Sequence, residues 1–471
     1  MDTPINIFDY SPTRSSPLEN EPTTAAIETL FEALVAQTKA IMRFPYDPKQ
    51  WLARARTLID LAYPELACGD AWKAEHCCRT LLRQYNTAER IRLGANSGFW
   101  MFDQQEASQD ERKVNMQQLL LTLQSTASTL ISSICEGLGV IEIVPQPYPW
   151  LASRHRTRSE ALLQQINREL VASQPLDTQD WPYCIVKRGA HNVPGSEFSA
   201  DEALGIFAQR AIPAGTTIVK DKGEIWACTA PTSKVWSRSL GYVFKHPSPS
   251  ALNDDMETAL LHWIKDVDRV DTDRALLRIR SLTRCVRDGV LHPLDHTVVA
   301  RLRPAYRNEE SLRFSLEADI VLANKALLQA GIDILANHNF DTWVLLTIDA
   351  RLDNNCWSEP NARCLSSLFA LFNHSCEPNV VWEHQDDHRI VHMRVNRDIE
   401  VGEQLFVQYN SYLDDRPVRE RQQALRRWLT EDCDCTRCTR EMAAEVVVQP
   451  GSTYQDAEWN SGVVDPPGLL W

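Results

Sequence analysis

Cys433, Cys435 and Cys438 stand within one short run, CDCTRC, near the C-terminal end of the chain. Thiols this crowded either enter redox chemistry or take a metal, and structural zinc wants four ligands in a tetrahedron. Three are one short. A fourth is on offer at Cys376, inside LFNHSCEPNVV (residues 371–381). An all-thiolate site with Zn–S bonds of about 2.3 Å would clamp the C-terminal segment back onto the loop carrying Asn373 and His374. The competing reading is a redox or incidental thiol cluster. The 13 cysteines are odd in number and otherwise scattered, which argues against a secreted disulfide framework and for one metal site plus ordinary buried thiols.

A chain of 471 residues exceeds one typical core, so two or three domains are expected. Its 49 Lys and Arg face 63 Asp and Glu, and the resulting charge of −14 repels phosphate backbones. Direct nucleic-acid binding is therefore not expected, and the run Arg416, Arg419, Arg421, Arg426 and Arg427 reads as a solvated helix face. The opening MDTPINIFDYSPTRSS lacks a basic-then-apolar leader, and no window supplies the roughly 18 apolar residues of a membrane span. The expectation is a soluble, intracellular protein, cytoplasmic or nuclear, with no membrane partner.

Residues 1–22, rich in Pro, Ser and Thr, read as a flexible N-terminus, and 23–150 as a helical domain. Trp51, Ala55 and Leu58 mark one helix there, and Pro64 opens a second with Ala67, Ala71, Ala74 and Cys78 on one face. The offsets of Trp51, Ala55, Ala67 and Ala74 resemble the large-small-small-small positions of a tetratricopeptide (TPR) repeat, although one repeat is clear where about three make an array. Any helical hairpin is the alternative. Residues 110–135 predict another amphipathic helix, and PQPYPW (145–150) a connector at a domain boundary. A linker follows over 151–180. From 181 to 412 short strand-like runs such as CIVKR, LGIFAQR and TTIVKD alternate with Gly and Pro, interrupted by a helical insert at about 253–340. A cysteine segment (413–445) and a loose tail (446–471) complete the chain.

Four pieces carry the chemistry. LGIFAQRAIPAGTTIV (204–219) predicts a hairpin around Pro213-Ala214-Gly215; FNHSCEPN holds Asn373, His374 and Cys376; VGEQLFVQYNSY (401–412) runs from a Gly turn through a strand to Tyr409; and CDCTRC closes the series. In this order they resemble the SET fold of protein methyltransferases followed by a post-SET zinc segment. The wide insert, the CxCxxC spacing and the upstream helices are similar to the SET-and-MYND group and, more closely, to fungal TPR-and-SET proteins. YPWLASRHRTRSEALLQQIN also resembles the linker of those fungal relatives.

The resemblance implies an α+β SET fold with a knotted C-terminal threading, one structural Zn²⁺ on Cys376, Cys433, Cys435 and Cys438, and a helical N-terminal domain. It implies S-adenosyl-L-methionine as cofactor, held by Leu204, Gly205, Asn355, Asn373 and His374, with Tyr409 and Tyr412 shaping the channel for a target lysine of a protein substrate. The alternative for Tyr409 is a core tyrosine satisfying a buried partner, and His374 fits equally a structural role, holding its loop through hydrogen bonds. Two departures stand out. Ala203 replaces the first glycine of the family's Gly-x-Gly and would crowd the cofactor if its backbone needed positive φ. The double-zinc MYND pattern is also missing, since the insert holds only Cys228 and Cys285 ahead of Cys356, so the N-terminal helices become the expected partner surface. The expected activity is lysine methylation; the rivals are a scaffold that no longer transfers methyl groups and a pocket turned to a small molecule.

Overall fold

The computed structural model describes residues 24–86, 109–135, 140–175, 181–190, 203–223, 225–228, 272–304, 312–359, 362–385, 390–426, 428–429 and 432–448. The expected N-terminal lead, the insert before residue 272 and nearly all of the expected tail lie outside the described residues. In chain order the strands are β1 (Val140–Ile143), β2 (Cys184–Arg188), β3 (Leu204–Ala208), β4 (Thr217–Lys222), β5 (Ile225–Cys228) and β6 (Leu312–Ser315). They continue as β7 (Trp357–Glu359), β8 (Ala362–Leu365), β9 (Asn373–His374), β10 (Val380–Gln385), β11 (Ile390–Val395) and β12 (Gln404–Val407). The chain divides into two compact units: Met1–Arg156 with Ser250–His296 and Tyr306–Asp349, and Thr157–Pro249 with Thr297–Ala305 and Ala350–Trp471.

The first unit is built on helices α1 (Thr24–Arg43), α2 (Pro48–Asp60), α3 (Pro64–Asn86) and α4 (Gln109–Ile134). Asp47 caps α2 by accepting from the Lys49 amide at 3.0 Å, ahead of a proline whose missing N–H costs nothing in the first turn. The break between α2 and α3 turns on Ala62, held at φ 57°. Trp51, Ala55, Ala67, Ala71, Ala74 and Cys78 are fully buried, and the alanines let α2 and α3 approach closely. Against the Trp51 ring sits a buried ion network. Arg54 grips Asp70 at 2.7 Å and Asp341 at 2.9 Å, Lys73 reaches Asp341 at 2.8 Å, and both cations lie over Trp51.

PQPYPW, read as a connector, packs into the helical core, where Tyr148 and Trp150 stack at 5.4 Å and join Phe31, Tyr63 and Leu66. One expectation changes here: the segment beginning at Leu312, within the expected helical insert, does not start as a helix. It forms β6, antiparallel to β1 with Val140 opposite Ser315, before a π-helix (Leu316–Val321) and an α-helix (Leu322–Gln329). Phe314 is buried, so strand pairing with VIEI overrides the local helical period.

The second unit carries three small sheets ordered β2-β3-β12-β9, β10-β11-β4 and β5-β8-β7. Pro213-Ala214-Gly215 does not close a hairpin: β3 pairs with β2 and β12, whereas β4 pairs with β11. Gly215, at φ +83°, instead turns the chain from one sheet to another, where its amide donates to the Val395 carbonyl. Inward residues of these sheets (Ile206, Ile218, Val391, Met393, Leu405 and Val407) meet Phe372 and the helix Glu160–Ala172 in one core. That helix is capped by Ser159, which accepts from the Leu162 amide.

Candidate active site and thiolate cluster

The site is organised where β12 runs parallel to the two-residue strand β9, with Phe406 opposite Asn373 and Val407 opposite His374. β12 follows a turn at Gly402, φ +83°, and its Leu405 and Val407 are fully buried. Asn379, six residues beyond Asn373, staples this crossing. Its amide donates to the Gln404 carbonyl and Glu403, while its oxygen accepts from the Phe406 amide at 2.7 Å. Asn379 ends FNHSCEPN, and a polar side chain of the right length next to Pro378 was the only sequence signal of this role.

Asn373, buried, donates to the Leu204 carbonyl at 3.0 Å and so fixes β3 against β9 across β12. Gly205 sits in the same place. A Cβ there would stand 2.7 Å from the Ala190 Cβ, 2.9 Å from Gln404 Nε2 and 3.1 Å from Asn373 Nδ2. Glycine is required by close approach, not by backbone angle. Ala203 is buried, and its carbonyl accepts from the Ala190 amide. Ala62 is the one non-glycine at positive φ among the described residues, so the crowding feared at Ala203, which needed a left-handed backbone, does not arise.

His374 is fully buried and sits between two partners. Its Nδ1 accepts from the Tyr409 amide at 3.1 Å, which places the ring proton on Nε2, where it faces Cys376 Sγ at 3.3 Å. Burial lowers its pKa to about 4, so the ring is neutral at pH 7. Tyr409 lies just past the end of β12. Its hydroxyl donates to the Phe372 carbonyl at 3.0 Å, its ring packs on His374 and Trp428, and burial pushes its phenol up. The structure thus brings Leu204, Gly205, Asn373, His374 and Tyr409 together. Tyr412 follows in a short 3-10 turn and is 69% exposed. Asn355 ends the helix Thr342–Asn355, where its amide donates to the Arg303 and Arg351 carbonyls, both at 2.7 Å.

Beyond His374 the four expected sulfurs converge. The Sγ atoms of Cys376, Cys433, Cys435 and Cys438 all lie within 4.8 Å of one another, and all four residues are buried. Cys376 and Cys438 are 3.5 Å apart, close to the edge of about 3.8 Å in a tetrahedron with bonds of about 2.3 Å. Arg421 Nη2 donates to Cys438 Sγ at 3.5 Å and to Glu441 at 2.8 Å, while contact with Cys376 lowers the Cys438 thiol to about 7. Buried sulfurs in this number, with a guanidinium alongside and no S–S bond among them, form a donor set that fits a thiophilic divalent ion. Leu413, Val418, Leu425 and Leu429 close over the cluster.

A family model for the SET domain matches residues 203–410. Curated relatives are similar over shorter stretches. "Histone-lysine N-methyltransferase SET5" of Yarrowia lipolytica is 40% identical over 77 residues, 16% of each chain. "Histone-lysine N-methyltransferase SMYD3" of Homo sapiens is 33% identical over 90 residues, 19% of this chain and 20% of the relative. "N-lysine methyltransferase SMYD2" of Gallus gallus is 31% identical over 121 residues, 23% and 27% respectively. The chain thus spans about a quarter or less of the length of these relatives.

Proposed function

Because the chain belongs to the SET-domain family, matched over residues 203–410, we propose that it is an S-adenosylmethionine-dependent methyltransferase acting on a lysine of a protein substrate. The observation that carries this reading is the junction of β3, β9 and β12. Gly205 leaves no room for a side chain, Asn373 is pinned to the Leu204 carbonyl, and the Tyr409 hydroxyl is aimed at the Phe372 carbonyl. Leu204, Gly205, Asn373 and His374 are the residues to hold the cofactor, with Asn355 as a further contact. When bound, the cofactor supplies an electrophilic methyl group on a sulfonium.

The chain's own groups account for the rest. A lysine amine has a pKa of about 10.4 and is almost wholly charged at pH 7. The apolar, aromatic surround of Tyr409 and Trp428 disfavours that charge and so frees the nucleophilic lone pair. The Phe372 carbonyl and the Tyr409 hydroxyl are preorganised polar groups that orient the amine and stabilise positive charge developing on it. Tyr412, at the exposed turn, is assigned to the channel entrance. The thiolate cluster takes one zinc ion, which fixes the post-SET segment and, through the His374 contact to Cys376, the strand end that presents Tyr409. The TPR-like helices α2 and α3 are assigned to partner capture, in the cytoplasm or the nucleus. Ala203 gives no support to a disabled scaffold, because its backbone is unstrained.

Calorimetric titration with S-adenosylhomocysteine, followed by labelled-methyl transfer to a protein array, tests the proposal. Binding with a dissociation constant in the micromolar range and label on protein lysines are expected. No heat of binding by folded protein would refute it.

A further inference from the structure

A second cluster of metal-ligating side chains lies in the helical unit, apart from the thiolates. His155 is on the short helix Ser153–Arg156, while His292 caps and Asp295 ends the 3-10 turn Pro293–Asp295. One ring nitrogen from each histidine and one carboxylate oxygen all lie within 4.8 Å of one another. His155 Nε2 is 2.7 Å from Asp295 Oδ1, and the two imidazole rings are 4.7 Å apart, centre to centre. We propose that His155, His292 and Asp295 form a second divalent-metal site, for an ion of the zinc class, that ties these two segments together.

The chemistry favours this class of ion. Two imidazoles and one carboxylate select zinc and its neighbours over magnesium or calcium, which demand mainly oxygen ligands. The ligands come from segments 140 residues apart, as expected of a site that fastens a fold rather than decorates a surface. His155 is buried, whereas the Asp295 side chain is 47% exposed, so water can take the fourth position. The Nε2 of His155 that faces Asp295 is the nitrogen the ion would take, which leaves the ring proton on Nδ1.

Among the contacts at these side chains, two oppose the ion and can yield. Leu294 donates its amide to His292 Nδ1 at 3.2 Å. A metal on either nitrogen of His292 ends that cap: at Nδ1 it takes the same lone pair, and at Nε2 it drives the ring proton to Nδ1. One long, part-exposed hydrogen bond is a small loss against a metal bond. Arg154 Nε stands 3.3 Å from His155 Nε2 and 3.8 Å from Asp295, but its side chain is 68% exposed and can swing into water.

Full-length protein, stripped with a chelator under reducing conditions, is titrated with Zn²⁺ against a chromogenic competitor. Wild type is expected to take up about two equivalents, and His292→Ala and Asp295→Asn about one each. Cys376→Ser is expected to lose the other equivalent, which separates the two sites. Asp295→Asn is the safer variant, because the side chain is half in solvent; circular dichroism confirms that it folds. Unchanged uptake by folded Asp295→Asn overturns the proposal, as does a single wild-type equivalent that Cys376→Ser abolishes.

Discussion

At the scale of single residues, the site rests on hydrogen bonds whose direction is decided by what each atom can do. The backbone amide of Tyr409 can only donate, so His374 Nδ1 must accept, and the remaining ring proton points at Cys376. His374 therefore couples the thiol cluster to the residue proposed to contact the lysine, which gives the loop-holding reading of this histidine its two partners. Tyr409→Phe removes one hydroxyl while keeping the ring contacts with His374 and Trp428. Its melting temperature and affinity for S-adenosylhomocysteine should stay near those of wild type. Methyl transfer should fall at least about tenfold, the effect of about 1.4 kcal/mol of lost transition-state stabilisation. Asn373→Ala should behave in the opposite order, weakening cofactor binding first, because it releases Leu204 from β9. Unchanged turnover by Tyr409→Phe in a single-turnover assay would remove that hydroxyl from the mechanism.

At the scale of elements, what the sequence made legible were features with one local cause. Helix α2 is announced by Trp51, Ala55 and Leu58 at helical spacing, the strands in CIVKR and TTIVKD by short runs set off by Gly and Pro, and the sulfur cluster by the shortage of one ligand in CDCTRC. Features that depend on a distant partner were not legible. LRFS becomes β6 only because VIEI offers an edge far earlier in the chain, and the Pro-Ala-Gly turn leads to a second sheet only because β11 is there to receive β4. The cysteine cluster gives a test at this scale. Cys376 comes from the β9 segment and the other three from the C-terminal segment, so Cys376→Ser should lose one zinc equivalent and make residues 413–448 sensitive to limited proteolysis. Retention of both properties would show that the fourth ligand lies elsewhere. The Arg54, Asp70, Lys73 and Asp341 network gives another. Burial alone would raise the Asp341 carboxyl, but Arg54 and Lys73 overcome it and hold the group far below its usual range. A depressed pKa contributes stability above the ordinary carboxylate value of about 4 that is lost as pH falls. Asp341→Asn should destabilise the protein by about 3 kcal/mol or more at pH 7 and by much less in acid, since Arg54 and Lys73 lose a buried counter-charge. Equal denaturant midpoints for the two proteins at pH 7 would contradict this.

At the scale of the whole molecule, the order of segments along the chain matters more than the list of domains. The unit that holds α1 to α4 also takes in Ser250–His296 and Tyr306–Asp349, segments that lie in sequence within the span matched by the SET domain. Its interior is shared among them: Asp341 neutralises Arg54 and Lys73, Trp343 joins the cluster of Phe31 and Tyr63, and Tyr46 hydrogen-bonds Asp333 at 2.5 Å. A truncation that removes residues 1–140 therefore does not release a free-standing half that carries the proposed site. It strips the apolar cover from Tyr148, Trp150 and Trp343 and leaves Asp341 without its cations, while the stretch 141–471 keeps every residue proposed to act on the cofactor or the amine. Loss of a largely buried aromatic cluster and an ion network is large against the stability of an ordinary domain, about 5–15 kcal/mol. The truncated chain should collect in the insoluble fraction, or bind a hydrophobic dye with no cooperative melt. Co-expression of residues 1–140 as a separate chain should restore soluble protein, because the missing partners are supplied in trans. A truncated chain that is soluble, melts cooperatively and binds S-adenosylhomocysteine like wild type would show that α1 to α4 are dispensable to the fold and serve recruitment alone.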